Sequence, residues 1–416
     1  MQPSDILIDA FDYDLPDYRI AKFPLQQRDE SKLLIYKNDG ITEKKFRDLP
    51  EELPENSLLF FNNTKVIRAR LHFFKESGAK IEIFCLEPID PNSYELIFQQ
   101  TEKCTWLCLI GNLKKWKSGR LSKNIRIENV QFTLYAEQKG RLNSDFLIEF
   151  SWDNPEFSFA EILEHVGELP IPPYLNREAE SSDLNTYQTV YSKIKGSVAA
   201  PTAGLHFTPE VFEQLKAKQI TCEELTLHVG AGTFRPVKTA KISEHEMHTE
   251  LFSINKKSIE KIAKHCGDIV AVGTTGTRTL ESLFYLGQLI SINPDITENE
   301  LIVKQWQPYD TELPRMSLQE SLQLLIDYLN KKSLDKLTAL TQIMIVPGFE
   351  FKVISGMVTN FHQPKSTLLL LVSAFLGGKW KTVYDYAFSH EFRFLSYGDS
   401  SLLWKSKVYT LRGLKL

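Results

Sequence analysis

The sequence predicts an α/β protein in which a large α/β domain carries a small antiparallel β-barrel domain as an insertion. The run DIVAVGTTGTRTLESLF, at residues 268–284, has the pattern of a buried strand, a glycine and threonine loop, and a helix. Between residues 71 and 152, short β-rich runs alternate with turn residues and show no helical period. Helical patterns resume afterwards, so we expect the large domain from residues 1–70 and 153–416 and the barrel from residues 71–152.

The composition is that of a globular protein, with 42% hydrophobic residues and a net charge of −4 over 416 residues. This charge argues against a general basic coat for nucleic acid and leaves a local patch open. The five cysteines include no C-x-x-C pair, so we expect neither a disulfide framework nor a cysteine zinc site. The N-terminus lacks signal-peptide features, and the longest apolar run, Leu368–Leu376, is too short to span a bilayer. We therefore expect a soluble, cytoplasmic protein without membrane contact.

Residues 200–236 place two glycine–histidine segments, APTAGLHF and LHVGAGTF, on either side of one helix. Thr208 is expected to cap this helix, with Pro209 at its first position. The next strand alternates apolar and polar residues, so His228 should lie opposite the apolar set near the strand's carboxyl end, where α/β sheets bind ligands. Two tight turns with incidental histidines are the alternative. The candidates from this unit are Thr202, Gly204, His206, His228, Gly230, Gly232 and Thr233.

Two earlier segments carry polar or basic side chains that suit a binding surface. Asn62 and Asn63 form a polar elbow after an apolar strand, where asparagine more often only shapes the turn. The connection Lys114–Arg126 holds six basic residues and Trp116 without an acidic residue. Such a segment can contact phosphates and stack a base, and a solvated hairpin is the alternative.

Two further segments carry candidate charged or titratable side chains. In EHEMHTE, His245 and His248 lie three apart, so they would share a face on a helix and not on a strand. In GTTGTR, Thr275 or Thr277 is expected to cap a helix, which places Arg278 near the helix N-terminus. The helix dipole disfavours a cation there, so we favour an anionic ligand group beside Arg278 over the alternative of a salt bridge to an acid.

The C-terminal part adds an elaboration and the last site candidates. Residues 290–340 are polar, and Ser317 with Glu320 forms a capping-box pattern before a leucine-lined helix, so we expect a helical elaboration. Thr359–His362 are expected to form a polar loop after a strand. Arg393 and Asp399 suit a structural ion pair, although Asp399 is also kept as a binding candidate.

Taken together, these segments resemble the S-adenosylmethionine:tRNA ribosyltransferase-isomerases of queuosine biosynthesis. Ten segments carry the resemblance in family order: FNNTKVIRARL, GELPIPPYL, YQTVYS, GSVAAPTAGLHFT, LHVGAGTFRPV, EHEMHTE, AVGTTGTRTLES, VPGFEF, VTNFHQPKSTLLLLVSAF and RFLSYGD. The resemblance implies transfer and isomerisation of the ribosyl part of S-adenosylmethionine onto the aminomethyl group of a 7-deazaguanine wobble base. The implied products are epoxyqueuosine, adenine and methionine. The family's fold is likewise a large α/β domain with an inserted β-barrel.

The resemblance also implies partners and roles. S-adenosylmethionine is a co-substrate, so no resident cofactor and no metal are expected, and the partner is the anticodon loop of tRNA with a GUN anticodon. We expect a monomer. Histidine suits removal of the proton beside the sulfonium or protonation of adenine, and the catalytic candidates are His206, His228, His245, His248 and His362. The substrate-binding candidates are Asn62, Asn63, Thr202, Gly204, Gly230, Gly232, Thr233, Thr274, Thr275, Arg278, Asn360 and Asp399.

Specific roles follow for three of these positions. Arg278 suits the methionine carboxylate, Thr274 and Thr275 suit ribose hydroxyls or adenine, and Asn360 suits the edge of a base.

Several residues depart from the family pattern, namely Lys65, Arg68, Gly276–Thr277, Gln363 and Lys365, and the segment 290–340 is longer than usual. These departures make a related transferase with an altered acceptor one alternative. A metal-dependent hydrolase that uses His206, His228, His245 and His248 is a second. A non-catalytic RNA-binding protein is a third.

Overall fold

A computed structural model describes residues 6–143, 145–230, 237 and 239–405. Its strands are β1 (Lys32–Lys37), β2 (Gly40–Lys45), β3 (Leu58–Asn62), β4 (Thr64–Val66), β5 (Arg70–Phe74), β6 (Lys80–Asp90), β7 (Lys103–Gly111), β8 (Leu121–Ile127), β9 (Val130–Leu142), β10 (Asp145–Trp152), β11 (Ile194–Ser197), β12 (Thr221–Leu227), β13 (Glu250–Asn255), β14 (Ile269–Val272), β15 (Ile302–Val303), β16 (Lys336–Thr341), β17 (Gly356–Asn360) and β18 (Ser400–Trp404). Its helices are α1 (Leu49–Glu52), α2 (Tyr94–Phe98), α3 (Phe159–Val166), α4 (Asp183–Thr186), α5 (Pro209–Ala217), α6 (Lys256–Lys264), α7 (Gly273–Ile292), α8 (Leu318–Lys331), α9 (Thr367–Phe375) and α10 (Trp380–Ser389).

The predicted α/β class is confirmed by a ten-stranded mixed sheet in the order β15-β16-β13-β12-β3-β14-β17-β18-β1-β2. The four strands β12, β3, β14 and β17 pair in parallel, so their carboxyl ends lie at one edge. Buried residues of α6 to α10 pack on one face of the sheet, and those of α1 and α5 pack on the other. A parallel sheet covered on both faces needs near-continuous apolar strands, and Ile269–Val272 is such a strand, with all four residues buried.

The glycine and threonine loop that the sequence predicts after β14 is absent. Gly273 has a φ of +84°, which lets the chain turn directly from β14 into α7. The hydroxyl of Thr277 donates to the Gly273 carbonyl at 3.2 Å, so this threonine lies inside the helix and does not cap it. Arg278 consequently lies in the second turn of α7, farther from the N-terminus than expected.

The segment predicted as a barrel forms a six-stranded antiparallel sheet in the order β5-β6-β7-β10-β9-β8. The end strands β5 and β8 approach each other, where Lys123 Nζ donates to the His72 carbonyl at 3.1 Å. The apolar core of this sheet also contains Phe159 and Ile162 of α3, beyond residue 152. The limits of the inserted domain, 71–152, therefore stay a prediction, since its core shares side chains with the following helix.

Residues 290–340 contain the predicted helix, α8, with the predicted capping box. Ser317 Oγ accepts from the Glu320 amide at 3.2 Å, and the Glu320 carboxylate accepts from the Ser317 amide at 2.7 Å. The segment also contributes strands, because β15 and β16 join the large sheet beside β13. The α8 helix packs its buried leucines on the same core as α7.

Across the described residues, we find no helix with the length and apolarity that a bilayer crossing demands.

Gly287 of α7 offers a stability test, because a Cβ there would lie 2.4 Å from the Ser321 carbonyl oxygen of α8. Helix propensity favours alanine over glycine by about 1 kcal/mol. Overpacking against backbone costs about 1–3 kcal/mol and should outweigh that gain. We expect Gly287→Ala to lower the free energy of unfolding in urea, whereas Gln323→Ala on the exposed face of α8 leaves it nearly unchanged. A stabilised Gly287→Ala protein would contradict the close α7–α8 contact.

Candidate functional site

A pocket opens at the carboxyl ends of β14 and β17, between the start of α7 and the turn Thr202–Gly204. Its free volume is about 730 Å³ when the open solvent at its mouth is included. Its lining residues are Tyr174, Tyr187, Ala199, Ala200, Pro201, Thr202, Ala203, Val229, Gly273, Thr274, Thr275, Thr359, Asn360, Phe361, His362, Gln363, Ser366, Leu368, Leu395 and Ser396. None of these is an acid, a lysine or an arginine, so the described wall of the pocket favours an uncharged, partly aromatic ligand group.

His362 is the histidine that lines this pocket. Its ring Nε2 lies 2.9 Å from Thr359 Oγ1, and its backbone N–H donates to Tyr384 Oη at 2.9 Å. Burial lowers the pKa of His362 to about 3, because a charged imidazolium loses its hydration there. His362 is therefore neutral at pH 7, when it can accept a proton or a hydrogen bond but cannot act as an imidazolium acid.

His206 lies one layer behind the pocket wall, next to Asn360. Its Nδ1 is 2.8 Å from Ser31 Oγ, and its Nε2 is 3.1 Å from Asn360 Nδ2. The ring also packs on Phe46, with centroids 5.0 Å apart. Burial lowers the pKa of His206 to about 4, so this side chain is a neutral partner of Asn360.

His228 follows the end of β12 and lies in a different groove from His362. The prediction that its side faces away from the apolar set holds, and that side is covered by α2 of the inserted segment. The His228 ring stacks on Tyr94 with centroids 4.2 Å apart, and burial lowers its pKa to about 4. The groove beside it carries Lys193, Lys195 and Lys336. The pocket at β14 and β17 is lined instead by the next residue, Val229.

His245 and His248 lie before β13 in a segment that is neither helix nor strand. Burial, and then the neighbouring His248, lower the pKa of His245. Neither residue lines the pocket. Within the described ranges, no three His, Cys, Asp or Glu side chains are grouped to hold a metal ion. The four-histidine ligand set of the hydrolase alternative is therefore not assembled.

Arg278 forms a buried ion pair with Glu250, the first residue of β13. Its Nε also donates to the Ile343 carbonyl at 3.2 Å. The structure thus has the salt bridge that was the alternative to a ligand anion, and Arg278 is not a lining residue. One guanidinium nitrogen, Nη2, has no partner among the described atoms, and binding of a carboxylate there stays a prediction.

Four other candidates, namely Asn62, Asn63, Gly204 and Asp399, make structural contacts that leave no group free for a ligand. Asn62 accepts from the Leu227 amide and donates to its carbonyl, both at 3.0 Å, so it ties β3 to β12. Asn63 Nδ2 donates to the Glu224 carboxylate at 3.1 Å, and its Oδ1 accepts from the Thr226 hydroxyl at 2.8 Å. These contacts tie the elbow to β12, and the local turn bond is the one that the Thr64 amide donates to Asn62 Oδ1 at 3.3 Å.

Asp399 pairs with Arg393 at 2.7 Å and accepts the Lys32 amide at 3.0 Å. A Cβ on Gly204 would lie 1.8 Å from Tyr191 Oη, so this glycine makes room for packing. Neither residue offers the pocket an unused group.

Some of the remaining candidates line the pocket, and others lie elsewhere or outside the described residues. Thr202, Thr274 and Thr275 line the pocket, and Thr275 Oγ1 is buried without a partner among the described atoms. Gly230 follows Val229 without lining the pocket, and Gly232 and Thr233 lie outside the described residues. Sequence reasoning missed Tyr174, Tyr187 and Ser396, although all three lie in segments that carried the resemblance.

The buried neutral histidines predict a loss of stability in acid. An unfolded histidine has a pKa near 6.5, so below that pH the unfolded state binds a proton that folded His206 or His362 does not. Stability is full above pH 6.5 and falls as the pH drops towards the folded pKa values. Between pH 7 and pH 5 each histidine should cost about 2 kcal/mol.

Urea unfolding at both pH values measures this cost. His206→Gln and His362→Gln should each reduce the difference between pH 7 and pH 5, and His390→Gln, on the exposed end of α10, should not. An unchanged difference in the first two variants would show that these histidines are not buried in the neutral form.

The chain is similar to known proteins over nearly its whole length. A family described as "Queuosine biosynthesis protein" matches residues 8–403. An S-adenosylmethionine:tRNA ribosyltransferase-isomerase from Sulfurihydrogenibium sp. (strain YO3AOP1) is 37% identical over 408 residues, 94% of this chain and 98% of that protein. One from Azoarcus sp. (strain BH72) is 35% identical over 401 residues, 95% of this chain and 97% of the relative. The crystal structure of S-adenosylmethionine tRNA ribosyltransferase from Thermotoga maritima has 28% identity and a TM-score of 0.44, over 94% of this chain and 99% of that one. Because the family match covers residues 8–403 and both sequence relatives match nearly the full length of the chain, the chain belongs to the family of queuosine biosynthesis proteins.

Proposed function

We propose that this chain is an S-adenosylmethionine:tRNA ribosyltransferase-isomerase. It transfers the ribosyl moiety of S-adenosylmethionine to the 7-aminomethyl-7-deazaguanine wobble base of tRNA and isomerises it, which gives epoxyqueuosine, adenine and methionine. Family membership over residues 8–403 supports this proposal, as do full-length relatives that bear this enzyme's name.

The observation that carries the proposal is the uncharged pocket at the carboxyl ends of the parallel strands. A nucleoside fits such a crevice, because hydroxyl and amide groups surround it and its aromatic residues can pack on a base. The first three residues of α7 line the same space, and among them Thr274 and Thr275 offer hydroxyls for ribose.

His362 is the histidine that we place in contact with the reacting nucleoside. A proton must leave the carbon beside the sulfonium, and the neutral imidazole of His362 can accept it, as a weak base because its pKa is about 3. Its low pKa argues against donation of a proton to departing adenine from an imidazolium at pH 7. His206, His228, His245 and His248 do not line the pocket, so we place them outside direct catalysis.

Of the departures from the family pattern, Gln363 lines the pocket and is the residue through which an altered acceptor would act. Lys365 instead pairs with Asp9 and Asp12 at 2.9 and 3.0 Å. A Cβ on Gly276 would make only ordinary contacts, of 3.7 Å or more, so this position does not reshape the pocket. Because Gln363 is the one departure that lines the pocket, the site favours the family's own acceptor over an altered one.

The finer features follow from the family resemblance. We propose that the acceptor is the anticodon loop of tRNA with a GUN anticodon, and that the enzyme works as a monomer in the cytoplasm. We further propose that S-adenosylmethionine is consumed and that no resident cofactor takes part.

Incubation with S-adenosylmethionine and tRNA that carries the aminomethyl base should release adenine and methionine and form epoxyqueuosine, as measured by mass spectrometry of nucleosides. Dialysis against a chelator should leave the rate unchanged, and tRNA without the aminomethyl group serves as the control. Absence of adenine and product, beside an active relative in the same assay, would refute the transferase. Loss of activity on dialysis would refute a reaction without a metal.

Substitution of His362 tests its place in the site. His362→Gln should lower kcat by about 100-fold or more, the usual contribution of a proton acceptor, with a smaller effect on KM for S-adenosylmethionine. His390→Gln on the surface is the matched control and should retain full activity. A His362→Gln enzyme within threefold of the wild-type kcat would exclude this role.

A further inference from the structure

The side-chain amide of Asn360 has an acceptor that nothing in the described structure uses. Asn360 ends β17, is 3% exposed, and lines the pocket. Its Nδ2 lies 3.1 Å from His206 Nε2 and 3.2 Å from the Leu395 carbonyl oxygen. Its Oδ1 is buried and has no hydrogen-bond partner among the described atoms.

The Leu395 carbonyl fixes which way this amide points. A carbonyl only accepts, so it requires the NH₂ side of Asn360, and the reverse orientation would place two oxygens against each other. The two amide hydrogens are then used by Leu395 and by His206 Nε2. Since Nε2 accepts, the proton of neutral His206 is on Nδ1, from which it donates to Ser31 Oγ at 2.8 Å.

The same contacts leave Oδ1 as the unused acceptor of a residue that lines the pocket. A buried acceptor without a donor is unfavourable, so a hydrogen bond from a ligand or from an ordered water stabilises it. His206 and Leu395 hold the amide before that ligand binds, and no reorganisation is needed to receive it.

The residues that line the pocket favour one of the two nitrogen donors that S-adenosylmethionine offers. Its ammonium group would call for a carboxylate, and the described lining contains none. A purine amino group is neutral and belongs to a flat ring that can pack on aromatic side chains such as Phe361, which the lining supplies.

We propose that Asn360 Oδ1 accepts a hydrogen bond from the 6-amino group of the adenine of S-adenosylmethionine, and that His206 is a positioning residue that holds this amide in place. The proposal rests on the proposed function, because it specifies how the nucleoside of that donor is selected. It makes Asn360 a determinant of adenine specificity.

The test compares two ligands on each protein by calorimetry, S-adenosylmethionine and its analogue with hypoxanthine in place of adenine. The analogue has an oxygen at the position of the 6-amino group and would meet Oδ1 as a second acceptor. Wild-type protein should bind S-adenosylmethionine about 10- to 100-fold more tightly. The ratio of the two affinities is measured within one sample, so it does not depend on the fraction that folds.

Asn360→Ala should reduce this ratio to within threefold of unity. His206→Phe, which removes the acceptor for Nδ2, should reduce it as well, while His206→Gln, whose amide oxygen can reach the place of Nε2, should retain most of it. His390→Gln, on the exposed end of α10 and outside the pocket, is the control and should keep the wild-type ratio.

An Asn360→Ala protein with the wild-type ratio would overturn the role of Asn360, and equal ratios in His206→Phe and the wild type would overturn the role of His206. A wild-type ratio near unity would overturn both. Wild-type protein that binds neither ligand would refute the proposed function itself, and this inference with it, which distinguishes the two failures.

Discussion

Parallel pairing of β12, β3, β14 and β17 is the constraint on which the candidate site depends. Because the strands run in the same direction, four separate segments of the chain end at one edge of the sheet. The end of β14 continues into α7 through the left-handed conformation of Gly273, and the end of β17 presents Asn360 and His362. If either strand ran in the opposite direction, these groups would be separated by the length of a strand.

Buried ion pairs and hydrogen bonds from side-chain amides hold the neighbouring elements in place around that edge. Arg278 joins α7 to Glu250 at the start of β13, and Asn62 joins β3 to Leu227 at the end of β12. Such contacts hold neighbouring strand ends in register, which is a prerequisite for a preformed pocket. They also explain why several residues of the resembling segments have no free face towards a ligand.

Sequence patterns predicted the features that depend on residues close together in the chain. The Ser317–Glu320 box, the Thr208 cap and the β-rich texture of residues 71–152 all involve neighbours in sequence, and the structure has each of them. Position in the chain did not indicate the partner of Arg278, because Glu250 lies 28 residues away, on strand β13. It also did not indicate that α2 would cover His228, since this depends on how the inserted sheet packs. Of five candidate histidines, only His362 lines the pocket, and sequence alone treated all five alike.

The central claim is that the nucleoside binds at the ends of β14 and β17 and not in the groove beside His228. Hydrogen exchange with and without S-adenosylmethionine tests this most directly, since bound ligand slows exchange of the amides that it contacts or orders. We predict slower exchange in residues 199–203, 273–276 and 359–363, with none in residues 93–98 and 336–341 beside His228. Protection confined to the second pair of segments would contradict the assignment of the site.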